Sequence, residues 1–438
     1  MLADLWYDLP PLAQDLAVTL AWLVPPAVLA AIVLRGFAPG PLVRALLGRF
    51  RGANAIFVAL IAISVAMGIG LTAQERGLRR GMATAADKFD LVVSAPGSEM
   101  TMLLATVFLQ PSDVALLDGA AFDRIARAEG VGIAAPLAYG DSHGTAPVVG
   151  TIAAFVTHLS GGRIEGRLWR TSHEAVVGAA VPLAIGDRFT PAHGQGEAAD
   201  HDAHDEDHLT VTGRMAATGT PWDRAILVPV ETVWEVHGLA NGHRPDEGDR
   251  LGPPFDPARF PGTPAVVVQA SGLAAAYRLR AEFARGEGTM AFFPGTVLSE
   301  LYRVMGDVRQ AMSLMAAVSQ ALVAAAVLLG LGILTRLFAR QAAMLRALGA
   351  PRRFVVAVIW SYGAVLLAAG TVLGLGLGRG AAAVLSRIVT ARTDVLVEAG
   401  LGWPEVQLAA AFLSVTLLAS LVPALAILRQ PVAAGLRA

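Results

Sequence analysis

"RLFARQAAMLRALGAPRRFVVAVIWSYGAVLLAAGTVLGLGLG", residues 336–378, changes character once. Arg336, Arg340, Arg346, Arg352 and Arg353 crowd its first part, and from Phe354 to Gly378 there is no charged residue. A helix needs about 20 mostly apolar residues to cross a bilayer. Arginines collect on the cytoplasmic side of such helices. The stretch therefore predicts a cytoplasmic segment that runs into a membrane span. The small residues of "GTVLGLGLG" (370–378) predict close packing of that span on a neighbour.

Four further charge-free runs occur, at 16–34, 53–73, 311–335 and 406–428. With 55% hydrophobic and 16% charged residues, the chain falls in the membrane class. Arg44, Arg49 and Arg51 lie between the first two runs, and Arg429 and Arg437 follow the last. The N-terminal segment carries Asp4, Asp8 and Asp15 without Lys or Arg. These charges predict five spans with the N-terminus outside. Acidic residues, not basic ones, precede the first run, so it reads as a span kinked at Pro25-Pro26 rather than a signal peptide. The expected organisation is an extra N-terminal transmembrane segment (1–44), a transmembrane helix (45–75), a large extracytoplasmic domain (76–310) and three transmembrane helices (311–438). The last part encloses a cytoplasmic coupling segment, 336–353.

The fold class expected is thus a membrane α-helical bundle with an α+β extracytoplasmic domain between spans two and three. Residues 73–89 and 295–312 have helical spacing and would extend spans two and three as a stalk. "EAVVGAAV", "LTVTGRM", "RAILVPV" and "TPAVVVQA" read as strands bounded by Gly, Pro and Asp. Residues 111–132 read as a helix capped by Ser112 or Asp113.

Composition removes several functions. The net charge of −1 gives no field for nucleic acid. Absence of cysteine removes disulfides, thiolate metal sites and thiol nucleophiles. Lys88, the only lysine, stands in "AADKFDL" without the glycines of a phosphate-binding loop, so ATP hydrolysis would need another chain. No His-Ser-Asp or zincin pattern suggests an enzyme. The spans carry no ionisable residue, which leaves no polar conduction path.

"RQAAMLRALGAPRRFV" (340–355) resembles the cytoplasmic loop of the MacB/FtsX-like ABC transporter permeases, through Ala343, Leu345, Arg346, Ala347, Leu348, Gly349 and Ala350. Gln341 stands near the place of the family's usual acidic residue. The C-terminal "SLVPALAILRQPVAAGLRA" resembles the family's closing pattern, with Pro423, Pro431 and Arg437 at comparable places. Residues 90–110 and 159–189 resemble outer-domain stretches, and the extra first span departs from the usual four-span plan. The resemblance implies a mechanotransmission-type permease of the bacterial inner membrane. It implies an ABC ATPase subunit as partner and a homodimer or a heterodimer with a second permease. The substrate would be handled outside: a lipoprotein, a peptide or a periplasmic or outer-envelope partner. Leu345, Arg346, Ala347, Leu348, Gly349, Ala350 and Arg352 would form the ATPase-coupling site, Arg352 with Arg346 and Arg353 meeting an acidic rim or lipid phosphates.

One segment is left outside that scheme. "HGQGEAADHDAHDEDH" (193–208) holds His193, His201, His204 and His208 among Asp200, Asp202, Asp205, Glu206 and Asp207. It reads as a long hairpin connection on the outer domain. Two readings stand side by side: an exchangeable Zn²⁺-type site, with imidazole and carboxylate ligands, or a hydrated acidic insertion. The first gives an alternative function, a metal-binding envelope protein serving metal acquisition or sensing. No cofactor is otherwise required.

Overall fold

The computed structural model describes residues 6, 8–110, 112–193, 208–284, 288–337, 339–393 and 399–426. In chain order the helices are α1 (Pro11–Leu34), α2 (Gly40–Arg49), α3 (Arg51–Ala86), α4 (Glu99–Thr106), α5 (Gly119–Arg127), α6 (Ala153–Ser160) and α7 (Val230–Val236). They continue with α8 (Leu273–Ala284), α9 (Pro294–Leu337), α10 (Ala339–Ala347), α11 (Arg352–Thr393), α12 (Trp403–Ala419) and α13 (Leu421–Ala426). The strands are β1 (Leu91–Ser94), β2 (Val131–His143), β3 (Ala146–Thr151), β4 (Ile164–Gly166), β5 (Glu174–Val177) and β6 (Arg188–Phe189). They end with β7 (Ala192–His193), β8 (Leu209–Met215), β9 (Ile226–Pro229), β10 (Ala265–Ala270) and β11 (Met290–Phe292). The chain divides into two compact units. One comprises Met1–Gly77, Asp307–Ile388 and Glu398–Ala438; the other, Leu78–Gly306 and Val389–Val397.

The first unit is helical. Among the described residues four helices are long and apolar enough to cross a membrane: Pro11–Leu34, Arg51–Ala86, Arg352–Thr390 and Trp403–Ala426. The span expected at 311–335 lies on α9, where the described residues give a shorter apolar stretch, Gln320–Gly330. Helix α11 runs on past Gly378, the last residue of the charge-free run, as far as Thr393. The sequence there, "GRGAAAVLSRIVTART", is rich in alanine, the best helix former, so α11 simply continues. Helix α1 runs unbroken through Pro25 and Pro26. Its Leu29, Ala30 and Val33 pack with Val356, Trp360 and Ala424.

The small residues of α11 explain the centre of this unit. A Cβ on Gly370 would lie 2.6 Å from Ile61 Cβ, and one on Gly374 2.7 Å from Val65 Cβ. One on Gly378 would lie 2.8 Å from Ile69 Cγ2. Spaced four apart, these glycines form one face and let α11 touch the backbone of α3 at Val58, Ala62 and Ala66. Ile61, Val65 and Ile69 are buried there with Val327, Leu367, Ala409 and Phe412.

The second unit is α+β. Its strands form one mixed sheet, ordered β11-β1-β10-β2-β3-β9-β5-β8-β4, with β6 on β8 and β7 on β2. Four of the strand expectations correspond to β5, β8, β9 and β10. β9 stops at Pro229, where α7 begins. The core is aromatic: Trp222, fully buried, lies edge-on to Phe155 with centroids 5.4 Å apart and is flanked by Phe89 at 5.9 Å. A second group joins Phe122, Trp234, Phe255 and Phe260. The helix expected at 111–132 is shorter, because Leu117 is engaged before it can form. Leu117 N–H donates to Thr263 O at 2.7 Å, and Leu117 O accepts from Thr263 N–H at 3.0 Å. The helix then starts behind Asp118, whose Oδ1 accepts from Ala121 N–H at 2.8 Å. The apolar run 101–109 is likewise capped, by Ser98, and buries Met102, Leu103, Val107 and Phe108.

β4 and β5 are tied by a two-pronged ion pair. Arg167 Nη1 and Nη2 donate to Glu174 Oε2 and Oε1 at 2.7 and 2.6 Å, and Arg170 N–H adds a third bond at 2.7 Å. The Arg167 bond is the main reason that the Glu174 carboxyl is pushed from 4.5 down to about 2.

Two outcomes follow from this packing. Gly374→Val is expected to lower the unfolding temperature of the detergent-solubilised protein, overpacking of this kind costing about 1–3 kcal/mol. Gly376→Ala, where a Cβ meets nothing within 4 Å, is expected to leave it unchanged or raise it; equal losses would contradict the close helix contact. Glu174, depressed in the folded state, contributes stability that is complete above pH 4.5 and is lost as pH falls toward about 2. Thermal unfolding should therefore show a steeper acid loss for the natural chain than for Glu174→Gln. Parallel curves would show that the pair contributes nothing.

Candidate functional site

Helix α10 ends in a specific stop signal. Gly349 has φ +93°, the left-handed region that a side chain disfavours. Its N–H donates to Arg346 O at 3.1 Å, while Ala350 N–H reaches back to Leu345 O at 2.9 Å. This pair of bonds is the Schellman closure of a helix C-terminus. Pro351 follows, cannot extend the helix, and offers its carbonyl to Phe354 N–H at 2.9 Å as α11 starts at Arg352. "LRALGAPRR" is thus a helix end, a fixed turn and a helix start.

Such a turn presents its apex. Leu348 is 86% exposed, a large apolar side chain held on a structured corner. Ala347, Gly349, Pro351, Arg352 and Arg353 are exposed, and Leu345, Arg346 and Ala350 half-buried. Leu345 turns inward, to a small apolar notch of about 90 Å³ shared with Leu42, Leu46, Val355, Val358 and Tyr362. Helix α2 supplies the other wall. Its Val43 is buried with Val358, Tyr362 and Leu366. The seven residues expected to couple to a partner are therefore brought together on one turn, with Leu345 as its root.

The histidines are distributed differently. His201 and His204 lie outside the described residues. His193 ends β7, opposite Asp141 of β2 in the strand register. His208 is exposed, and its Nδ1 lies 3.0 Å from Thr190 Oγ1. β6 pairs with β8 across the interval, so the flanks of the loop are joined as a hairpin. Among the described residues no group of three or more His, Asp or Glu is placed to hold a metal ion.

Residues 310–432 match the family model described as FtsX-like permease C-terminal. This part of the chain, and not the whole, carries the FtsX-like permease C-terminal domain. The match includes the whole of α10, the Gly349 turn and α11, and it bears out the resemblance drawn from residues 340–355. No curated protein matches the chain. Among solved structures, the extracellular domain of the noncanonic ABC-type transporter YknZ from Gram-positive bacteria is similar at 11% identity and a TM-score of 0.27. It covers 46% of this chain and 98% of its own.

Three features bearing on the permease domain escape a linear reading. The first is α2, whose apolar face is spelled by Leu42, Val43, Leu46 and Leu47; its amphipathic spacing was the available signal. The second is a buried polar bond from Tyr362 to Asn54, on α11 and α3; Asn54 Nδ2 also donates to Leu47 O at 3.0 Å. It fixes α2, α3 and α11 to each other beside the notch. The third is Arg76, whose Nη1 lies 2.9 Å from Glu405 Oε2, the carboxylate being fully buried at the start of α12. Arg76 also donates to Gly400 O. An arginine and a glutamate so far apart in sequence give no local sign of pairing.

Proposed function

We propose that this chain is the membrane-spanning permease subunit of an ABC transporter whose ATPase is a separate chain. The observation that carries the reading is the exposed Leu348 on a conformationally fixed turn inside the FtsX-like domain. An exposed leucine on a mobile loop would be expensive to order on binding; here the backbone is already ordered by the Gly349 closure. Leu348 would enter an apolar groove of the ATPase, and Arg346, Arg352 and Arg353 would face its acidic rim. The lone Lys88 and its setting supply no phosphate-binding loop, so nucleotide hydrolysis belongs to the partner.

In this reading, which the arginine distribution supports, the turn lies in the cytoplasm and residues 78–306 outside, in a five-span arrangement with α9 as the third span. ATP-driven movement of α10 and α11 would pass to α3 through the glycine face and so act on the outer domain. Pairing with a second permease, identical or related, and location in a bacterial inner membrane belong to the same reading. The work done outside would be on a lipoprotein, a peptide or an envelope partner.

Co-expression with the products of the neighbouring genes, and recovery of any ATPase among them, tests this. Leu348→Glu is expected to abolish co-purification of the ATPase, and Gly349→Val to reduce it at least 10-fold, with the unfolding temperature of the Leu348→Glu chain unchanged. An ATPase that stays bound to the Leu348→Glu chain would overturn the docking role of the turn. A natural chain that retains no ATPase would overturn the permease reading itself.

A further inference from the structure

One feature of the outer unit has no part in the permease reading. Thr190, between β6 and β7, is met by two histidines from separate parts of the sequence. His143, the last residue of β2, places Nδ1 3.2 Å from Thr190 O. His208, just before β8, places Nδ1 3.0 Å from Thr190 Oγ1. The His143 ring is half-buried and tilted against the buried Phe189, with centroids 5.3 Å apart, so its plane is set by packing.

The chemistry of the two contacts determines which ring nitrogen is available. A carbonyl oxygen only accepts, so His143 Nδ1 must carry the hydrogen of its contact. In the neutral ring the lone pair then resides on Nε2. A ring held by Nδ1–H to a carbonyl, with Nε2 as ligand, is the usual state of a metal-bound histidine. The Thr190 hydroxyl can accept from His208 Nδ1 in the same sense, which leaves Nε2 as its ligand too. Thr190 thus meets both rings, and in the tautomer in which His208 Nδ1 donates to its hydroxyl both rings present Nε2 as ligand. The backbone holds these positions: β7 pairs with β2 through Asp141↔His193 and Ser142↔Ala192, and β6 pairs with β8 through Arg188↔Thr210 and Phe189↔Leu209.

We propose that His143 and His208, oriented by Thr190, are the fixed ligands of a transition-metal site on the outer unit. Two imidazoles suit Zn²⁺, Ni²⁺ or Cu²⁺ and not Mg²⁺ or Ca²⁺, which require oxygen ligands. With two protein ligands in place and water completing the shell, the ion is held exchangeably rather than structurally. The site differs from the histidine run read along the sequence: His143, 65 residues before His208, is the half that a linear inspection leaves out. It is also independent of whether the chain partners an ATPase.

Calorimetric titration of the full-length chain in detergent with Zn²⁺ tests it. The natural protein is expected to bind Zn²⁺ with micromolar affinity and to give no heat with Mg²⁺. His143→Ala and His208→Ala should each weaken binding 10-fold or more, and Thr190→Val, which removes only the hydroxyl, several-fold. His173→Ala, at an exposed position of the same unit, should bind as the natural chain does. The unfolding temperature without metal should be the same in His208→Ala and His173→Ala, whose side chains are exposed. Natural affinity in His143→Ala would overturn the proposal, and its loss only in a His201→Ala/His204→Ala double variant would assign the metal to the intervening loop instead. Failure of the natural chain to bind Zn²⁺ at 100-fold excess would exclude both.

Discussion

The contact on which the rest of the structure depends is the glycine face of α11 against α3. Gly370, Gly374 and Gly378 have no side chain to interpose, so the backbone of one helix rests on Ile61, Val65 and Ile69 of the other. Packed interiors deform little. A displacement of α11 therefore meets α3 with nothing between them to absorb it. α11 starts at the Gly349 turn, and α3 is one helix from Arg51 to Ala86 whose last residues, Ala85 and Ala86, belong to the core of the α+β unit.

Two polar pairs in the helical unit flank this contact. The Asn54–Tyr362 bond lies beside the notch, and the Arg76–Glu405 pair lies where α3 leaves its apolar stretch. A buried carboxylate left without its arginine is costly, so the second pair is strongly constrained to persist. Between them α3 and α11 meet largely through apolar and small side chains.

What the sequence disclosed follows the range of the interaction. β8 and β10 were legible because their β-branched runs lie between turn residues, whereas residues 345–350 were singled out by family resemblance and not as a turn, although the Gly349 stop signal is local. The shortened α5 was not, because Thr263 claims Leu117 from the far side of the domain. The continuation of α11 to Thr393 was hidden by Arg379 and Arg387, which read as the end of a span but interrupt nothing in a helix. The notch needed α2 and α11 to be adjacent. The His143–Thr190–His208 arrangement needed the register of β7 on β2, and periodicity carries no information about either. The seven residues expected to couple to a partner were named by family resemblance; the exposure of Leu348 was visible only in the fold.

The central claim is that the corner at Leu348 is where an ATPase grips the permease. A photo-crosslinking amino acid at position 348, activated in intact cells, tests this directly. The account predicts one principal adduct, with a nucleotide-binding ATPase, and none from the same probe at Leu273 on the outer unit. An adduct at 348 only with lipid, or an ATPase adduct from Leu273 instead, would contradict it.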